Sequence, residues 1–198
     1  MQDTIHVKAQ SACLQVIQAM AVLERKETQE FIVQAAQSIA ETFQQGGKVL
    51  LAGNGGSLCD AMHAAEEFTG LFRKYRKALP AITLSDPGHI TCVSNDMGFN
   101  QIFSRGIEAY GKSGDLFIAL TTSGNSENIL LALKKAEELG LKRIAFLGKG
   151  GGKSTGLSTL ELSVDGFSTS DRIQEVHMAC LHIIIELVEE ILFGENSL

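Results

Sequence analysis

Residues 48–70 read KVLLAGNGGSLCDAMHAAEEFTG and residues 116–126 read LFIALTTSGNS. In each, a short apolar run of β-forming residues ends in a polar, glycine-rich loop that passes straight into helical sequence. Strand, loop and helix in that order, met twice, predict a parallel α/β sheet. Such sheets bind ligands in the crevice outside the carboxyl ends of their strands. Free N–H groups at the helix starts hold anions there. The helix after the first loop carries His63 and Glu67, four residues apart and therefore on one face. A phosphate cradle beside an acid/base or metal pair points to sugar-phosphate chemistry.

Before these stretches, apolar residues recur at helical spacing over 10–24 and again over 28–45, where Gly46 and Gly47 end the pattern. Strands are expected at 48–52, 81–85, 116–121, 143–148 and 160–164, and helices at about 57–76, 99–110, 125–139 and 171–193. The alternation predicts a three-layer α/β fold, a five-stranded parallel sheet flanked by helices. At 198 residues one domain is expected, with N-terminal helices in 1–46 and the α/β core and C-terminal helix in 47–198. Ile184, Ile185, Leu187, Val188 and Ile191 exceed what a lone outer helix needs to hide, so an oligomer interface is expected there.

The net charge of −6 argues against a nucleic-acid partner. The basic cluster Arg73, Lys74, Arg76 and Lys77 is read as a solvated helix end. Cys13, Cys59, Cys92 and Cys180 lie far apart without a C-x-x-C pair, which predicts free thiols in a reducing cytoplasm. There is no basic stretch followed by a short apolar run near the start, and no apolar run long enough to span a bilayer, so no membrane association is expected.

Dinucleotide and Walker-type sites are excluded. The loop at 53–57 lacks the third glycine of G-x-G-x-x-G, Asp86 lies too far along for the ribose carboxylate, and neither loop closes on G-K-[ST]. The second loop instead offers the hydroxyls of Thr121, Thr122, Ser123 and Ser126, with Gly124 allowing close backbone approach. Hydroxyls and N–H groups at a helix start can hold a phosphate without lysine, and Ser126 also suits a plain N-cap. His63 and Glu67 could ligate one metal ion or act separately as acid and base. On the last helix, Gln174, His177 and His182 are polar among apolar neighbours; His182 is expected to be buried and is the best general-acid candidate by its titration range. Asp171 suits the N-cap of that helix, and Asn95-Asp96 is read as a polar turn after a short helix.

Together these residues resemble the bacterial phosphoheptose isomerases of the sugar isomerase (SIS) domain superfamily. The resemblance rests on GNGGS-x-CDAMH-x-AEE-x-TG at 53–70, SND-x-GFN-x-IFSR at 94–105, TSGNS at 122–126 and DRIQE-x-H at 171–177. It implies a homotetramer and the isomerisation of sedoheptulose 7-phosphate to D-glycero-D-manno-heptose 7-phosphate, a precursor of surface heptose polymers such as lipopolysaccharide. Carried over by motif position, Asn54, Gly55, Gly56, Ser57, Asn95, Asp96 and Gln174 would contact substrate, and Thr121, Thr122, Ser123 and Ser126 would hold its phosphate. Glu67 would be the general base and His182 the general acid. In zinc-containing members the ligands would fall on His63, Glu67, Gln174 and His182. Two positions depart from the pattern: Leu71 stands where similar enzymes carry an arginine, which leaves Arg73 to compensate or the substrate grip to differ, and Thr121 replaces a serine.

Gln174 and His182 are eight residues apart on one predicted helix, about 12 Å along its axis. One straight helix therefore cannot offer both to a single ion with ligand bonds near ~2 Å. Either the helix starts after Gln174, or the active sites are shared between subunits. Two rivals stand beside the heptose reading: a non-catalytic SIS regulator of the kind that binds a replication initiator, and an isomerase of another phosphorylated ketose. Retention of His63, Glu67, Gln174 and His182 favours an enzyme.

Overall fold

The five apolar runs form five parallel strands: β1 (Val49–Gly53), β2 (Ala81–Thr83), β3 (Leu116–Thr121), β4 (Lys142–Gly148) and β5 (Leu160–Val164), in the order β2-β1-β3-β4-β5. The structure is a computed structural model and describes residues 2–194. Helices α1 (Gln2–Met20), α2 (Lys26–Gln44), α3 (Gly56–Thr69) and α7 (Ser170–Phe193) supply one face of the sheet, and α4 (Pro87–Met97), α5 (Ile102–Tyr110) and α6 (Glu127–Glu138) the other. Alternation along each strand divides the core between them. Val49, Leu51, Leu116, Ile118, Leu120, Ile144 and Phe146 face the first group, while Leu50, Ala52, Phe117 and Ala119 face the second. Strand order reverses between β1 and β3, so the crevice between their carboxyl ends is the topological switch point. Both glycine-rich loops open there.

Three expectations need correction. The helix expected over 57–76 stops at Thr69, and the chain from 70 to 80 runs back across α7 without regular structure. Its basic cluster is accordingly not a solvated helix end. The Arg76 side chain is 1% exposed and pairs with Glu189, 2% exposed, at 2.8 Å. Second, Asn95 and Asp96 lie inside the last turn of α4, whose start is marked by Pro87 and by Asp86, which accepts a hydrogen bond from His89 N at 2.7 Å. Third, most of the apolar surplus of α7 is used within the chain: Ile184, Ile185 and Val188 are fully buried in the core shared with α2 and α3, while Leu187 is half-buried and Ile191 exposed. α1 leaves more large apolar residues exposed than any other helix, namely Ile5, Val7, Leu14 and Ile17. Among the described residues, no helix is long and apolar enough to cross a membrane.

Candidate active site

The site is built along the seam where α3 and α7 run side by side in the same direction. At its head, Gly56 opens α3 against Gln174, and a Cβ on Gly56 would lie 2.6 Å from the Gln174 amide oxygen. A side chain there would push the Gln174 amide aside. Gln174 Nε2 donates to Ser57 Oγ at 3.3 Å. A cavity of about 140 Å³ opens here between the two loops, lined by Asn54, Ser57, Leu120, Thr121, Thr122, Ser123, Ser126, Ser170 and Gln174. Its walls are polar, as an anion requires.

The hydroxyls of the second loop divide their work. Thr121 is buried and its Oγ1 accepts from Gly124 N at 3.2 Å, so it shapes the loop. Ser123 Oγ accepts from Asn125 N at 3.2 Å, and Thr122 Oγ1 donates to Ser170 Oγ at 3.0 Å. Ser126 stands at the N-cap of α6, yet its side chain makes no capping bond. Its hydroxyl remains available to a ligand at the positive end of the helix. Gly124 holds φ +62° under the 148–156 loop, where a Cβ would meet Gly151 O at 1.8 Å. The two loops are tied by a reciprocal amide pair, Asn54 and Asn128, each donating Nδ2 to the other's Oδ1 at 2.9 Å. Asn128 and Ser170 escaped the sequence reading. An asparagine in phase with Ala132 and Ala136 on the apolar face of α6 was the signal for the former.

Farther along the seam, His63 Nε2 lies 3.3 Å from Glu67 Oε1, and the His63 and His182 rings meet edge to face at 5.0 Å. One ligand atom from each of His63, Glu67 and His182 lies within 4.8 Å of the other two. Against expectation, His182 is only partly buried, though its Nε2 is covered and has no hydrogen-bond partner. Partial burial pushes its pKa down, helped by His63 and opposed by Glu67. The fully buried histidine is His177, whose ring nitrogen Nε2 meets Leu147 O at 2.8 Å. Asp60, one turn before His63, has a covered Oδ2 without a partner, and burial pushes its pKa up to about 6.

Two imidazole nitrogens, the one on His182 being orphaned, and a carboxylate suit a zinc ion chemically. Gln174 does not join them. α7 is continuous from Ser170, which removes the option of a helix starting after Gln174, and that residue is committed to Ser57 at the head of the seam. Asn95 and Asp96 line neither the cavity nor this cluster; Asn95 Nδ2 donates to Asp96 Oδ1 at 2.7 Å on the exposed end of α4. Asp171 lies in the first turn of α7 beyond the N-cap, which is Thr169.

Residues 14–148 match the SIS domain family. The phosphoheptose isomerase of Fusobacterium nucleatum subsp. nucleatum is 58% identical over 173 residues, 87% of this chain and 87% of its own length. The chain belongs to the phosphoheptose isomerases of the SIS-domain family. The phosphoheptose isomerase of Vibrio cholerae serotype O1 is 55% identical over 156 residues, covering 79% of this chain and 82% of its own. The solved phosphoheptose isomerase of Neisseria gonorrhoeae superposes with a TM-score of 0.86 at 34% identity, covering 93% of this chain and 99% of its own. Within this phosphoheptose isomerase chain, Leu71 is exposed, and Arg73 is held by an ion pair to Glu186 with its guanidinium 5.5 Å from the centre of the Phe72 ring.

Proposed function

We propose that the chain interconverts sedoheptulose 7-phosphate and D-glycero-D-manno-heptose 7-phosphate through an enediol. One observation carries this reading: the polar cavity at the switch point and the His63–Glu67–His182 cluster lie along the same α3–α7 seam. The phosphate binds in the cavity through Ser126, Ser123, Thr122 and the start of α6. Asn54, Gly55, Gly56, Ser57 and Gln174 border the sugar.

Moving the carbonyl from C2 to C1 takes a proton from C1 and returns one to C2, while a second proton leaves the C1 oxygen and another joins the C2 oxygen. Glu67 is the base at carbon, since a carboxylate can accept the C1 proton and hand it to C2. His182, held toward its neutral form, carries one N–H donor and one lone pair and serves the oxygens as acid and then base. His63 and Glu67 with His182 would also hold a zinc ion, which when bound supplies Lewis-acid polarisation of the substrate oxygens. Gln174 of the same chain is eight residues from His182 on an unbroken helix, so a fourth ligand from that position comes from a second copy of the chain. The exposed apolar face of α1 supports such assembly into the homotetramer. The free thiols support work in the cytoplasm.

The test is turnover of sedoheptulose 7-phosphate against six-carbon and five-carbon ketose phosphates, each with and without a chelator. Preferential turnover of the seven-carbon sugar is expected. Preference for a shorter ketose overturns the substrate, and absence of isomerisation overturns the reading altogether. Undiminished turnover after full metal depletion removes zinc from it.

A further inference from the structure

The segment from 70 to 80 does more than connect α3 to β2. Arg76 turns its guanidinium into the C-terminal end of α3. One terminal nitrogen donates to Phe68 O at 2.8 Å and the other to Glu67 O at 2.8 Å, so one side chain reaches two carbonyls in the last turn of the helix, the Phe68 one shared with Leu79 N at 3.0 Å. Its Nε donates to Glu189 Oε1 at 2.8 Å. The second carboxylate oxygen, Glu189 Oε2, accepts from Arg73 N at 3.1 Å and Lys74 N at 3.3 Å. Glu189 stands two turns beyond His182 on α7, about 10.5 Å along the axis. Between these anchor points the strap lays the Phe72 ring on the His182 imidazole, stacked at 5.8 Å.

A buried arginine could be explained as simple charge neutralisation of a buried glutamate. The geometry exceeds that. A lysine would neutralise Glu189 equally well but could not reach the Glu67 and Phe68 carbonyls in the same plane, because only guanidinium presents a rigid fork of donors. The fork grips the backbone of Glu67 itself, and the carboxylate it grips in turn belongs to the helix of His182. We propose that Arg76 and Glu189 form a positioning clamp that fixes α3 against α7 and so sets the placement of Glu67 opposite His182. This rests on the isomerase reading above. Neither residue touches substrate, and the clamp sits at the end of the seam away from the phosphate cavity. Its loss should therefore act on the reacting carbons and leave phosphate binding unchanged.

The experiment compares wild type, Arg76→Lys and the double variant Arg76→Met with Glu189→Met. Replacing both members of a buried pair by apolar residues is often neutral or stabilising, so the double variant separates fold from positioning. Melting temperature, kcat and KM are measured for each. The clamp predicts kcat lowered about tenfold to a hundredfold in both variants, as misplacement of reacting groups by an ångström does, with KM within about twofold. Wild-type kcat in Arg76→Lys overturns it, since neutralisation alone would then suffice. A folded double variant with wild-type kcat overturns it as well. If the double variant does not fold, Arg76→Lys decides. Wild-type protein without isomerase activity overturns the isomerase reading and the clamp with it, whereas an active wild type with fully active variants overturns the clamp alone.

Discussion

Gln174 and His182 lie on one unbroken helix and serve different ends of the same seam: Gln174 donates to Ser57, while the His182 ring meets His63. Glu67 and His182, by contrast, belong to one cluster within a single chain. In the proposed assembly this sets which defects can complement one another across a subunit boundary.

Chains carrying Gln174→Ala and chains carrying His182→Ala should each be nearly inactive alone and regain activity when unfolded and refolded together. Some interfaces of a hybrid then pair an intact cluster with an intact Gln174 from a neighbour. The matching mixture of Glu67→Gln with His182→Ala should stay inactive, because both residues must come from the same chain. Recovery in the second mixture but not the first would show the opposite partition of the site.

Ser126→Ala should raise KM about tenfold or more, the weight of a hydrogen bond to a charged group, and leave the melting temperature within about 1 °C. An N-cap serine normally stabilises its helix, but this one makes no capping bond. Thr121→Val should behave oppositely, lowering thermal stability through the lost bond to Gly124 N. Steady-state kinetics and thermal melts on the two variants check the division. A destabilised Ser126→Ala with unchanged KM would assign that hydroxyl to the helix alone.

The sheet and both loops were legible because their signals are local. Five apolar runs bounded by glycine or polar turns require parallel strands, and hydroxyls crowded before α6 have few purely structural uses. What escaped the sequence depends on distant partners. Arg76 looked solvated because Glu189, which buries it, lies 113 residues away. His177 and His182 share an apolar helix, and only the packing of β4 against one face and of α3 and Phe72 against another decides which ring is buried. The apolar surplus of α7 pointed to a neighbour because α2 could not be placed on it from periodicity alone.

Glu67→Gln is nearly isosteric and keeps the backbone carbonyl held by Arg76, but its amide cannot accept the C1 proton. Loss of a general base lowers rate by about 10²–10⁴. The variant is incubated with substrate in D₂O and deuterium at C1 and C2 is followed by NMR. Exchange should fall with turnover. Near-normal exchange in a folded variant would move the base elsewhere.

Acid should destabilise the fold through His177. Its Nε2–H donates to Leu147 O, which leaves Nδ1 a bare lone pair, buried without a partner against Phe146. Protonation would place a charge and an unsatisfied N–H in the core, so burial pushes the pKa from 6.5 down to about 4. Above about pH 6.5 the ring is neutral in both folded and unfolded chains and contributes no pH dependence. As pH falls from 6.5 to 4, the unfolded chain takes up a proton that the folded chain refuses, and stability declines by on the order of 3 kcal/mol. Asp60 works against this trend, because its raised pKa lets the folded chain take a proton first as pH falls below about 6. Comparing wild type with His177→Gln cancels the Asp60 effect, which is present in both. The glutamine amide can still donate to Leu147 O but does not titrate. In urea unfolding from pH 8 to 4, the Gln variant should be the less stable above pH 7 if its packing is poorer, and should gain steadily on wild type below pH 6.5. Parallel stability curves for the two proteins across that range would show that His177 is not held neutral by the core.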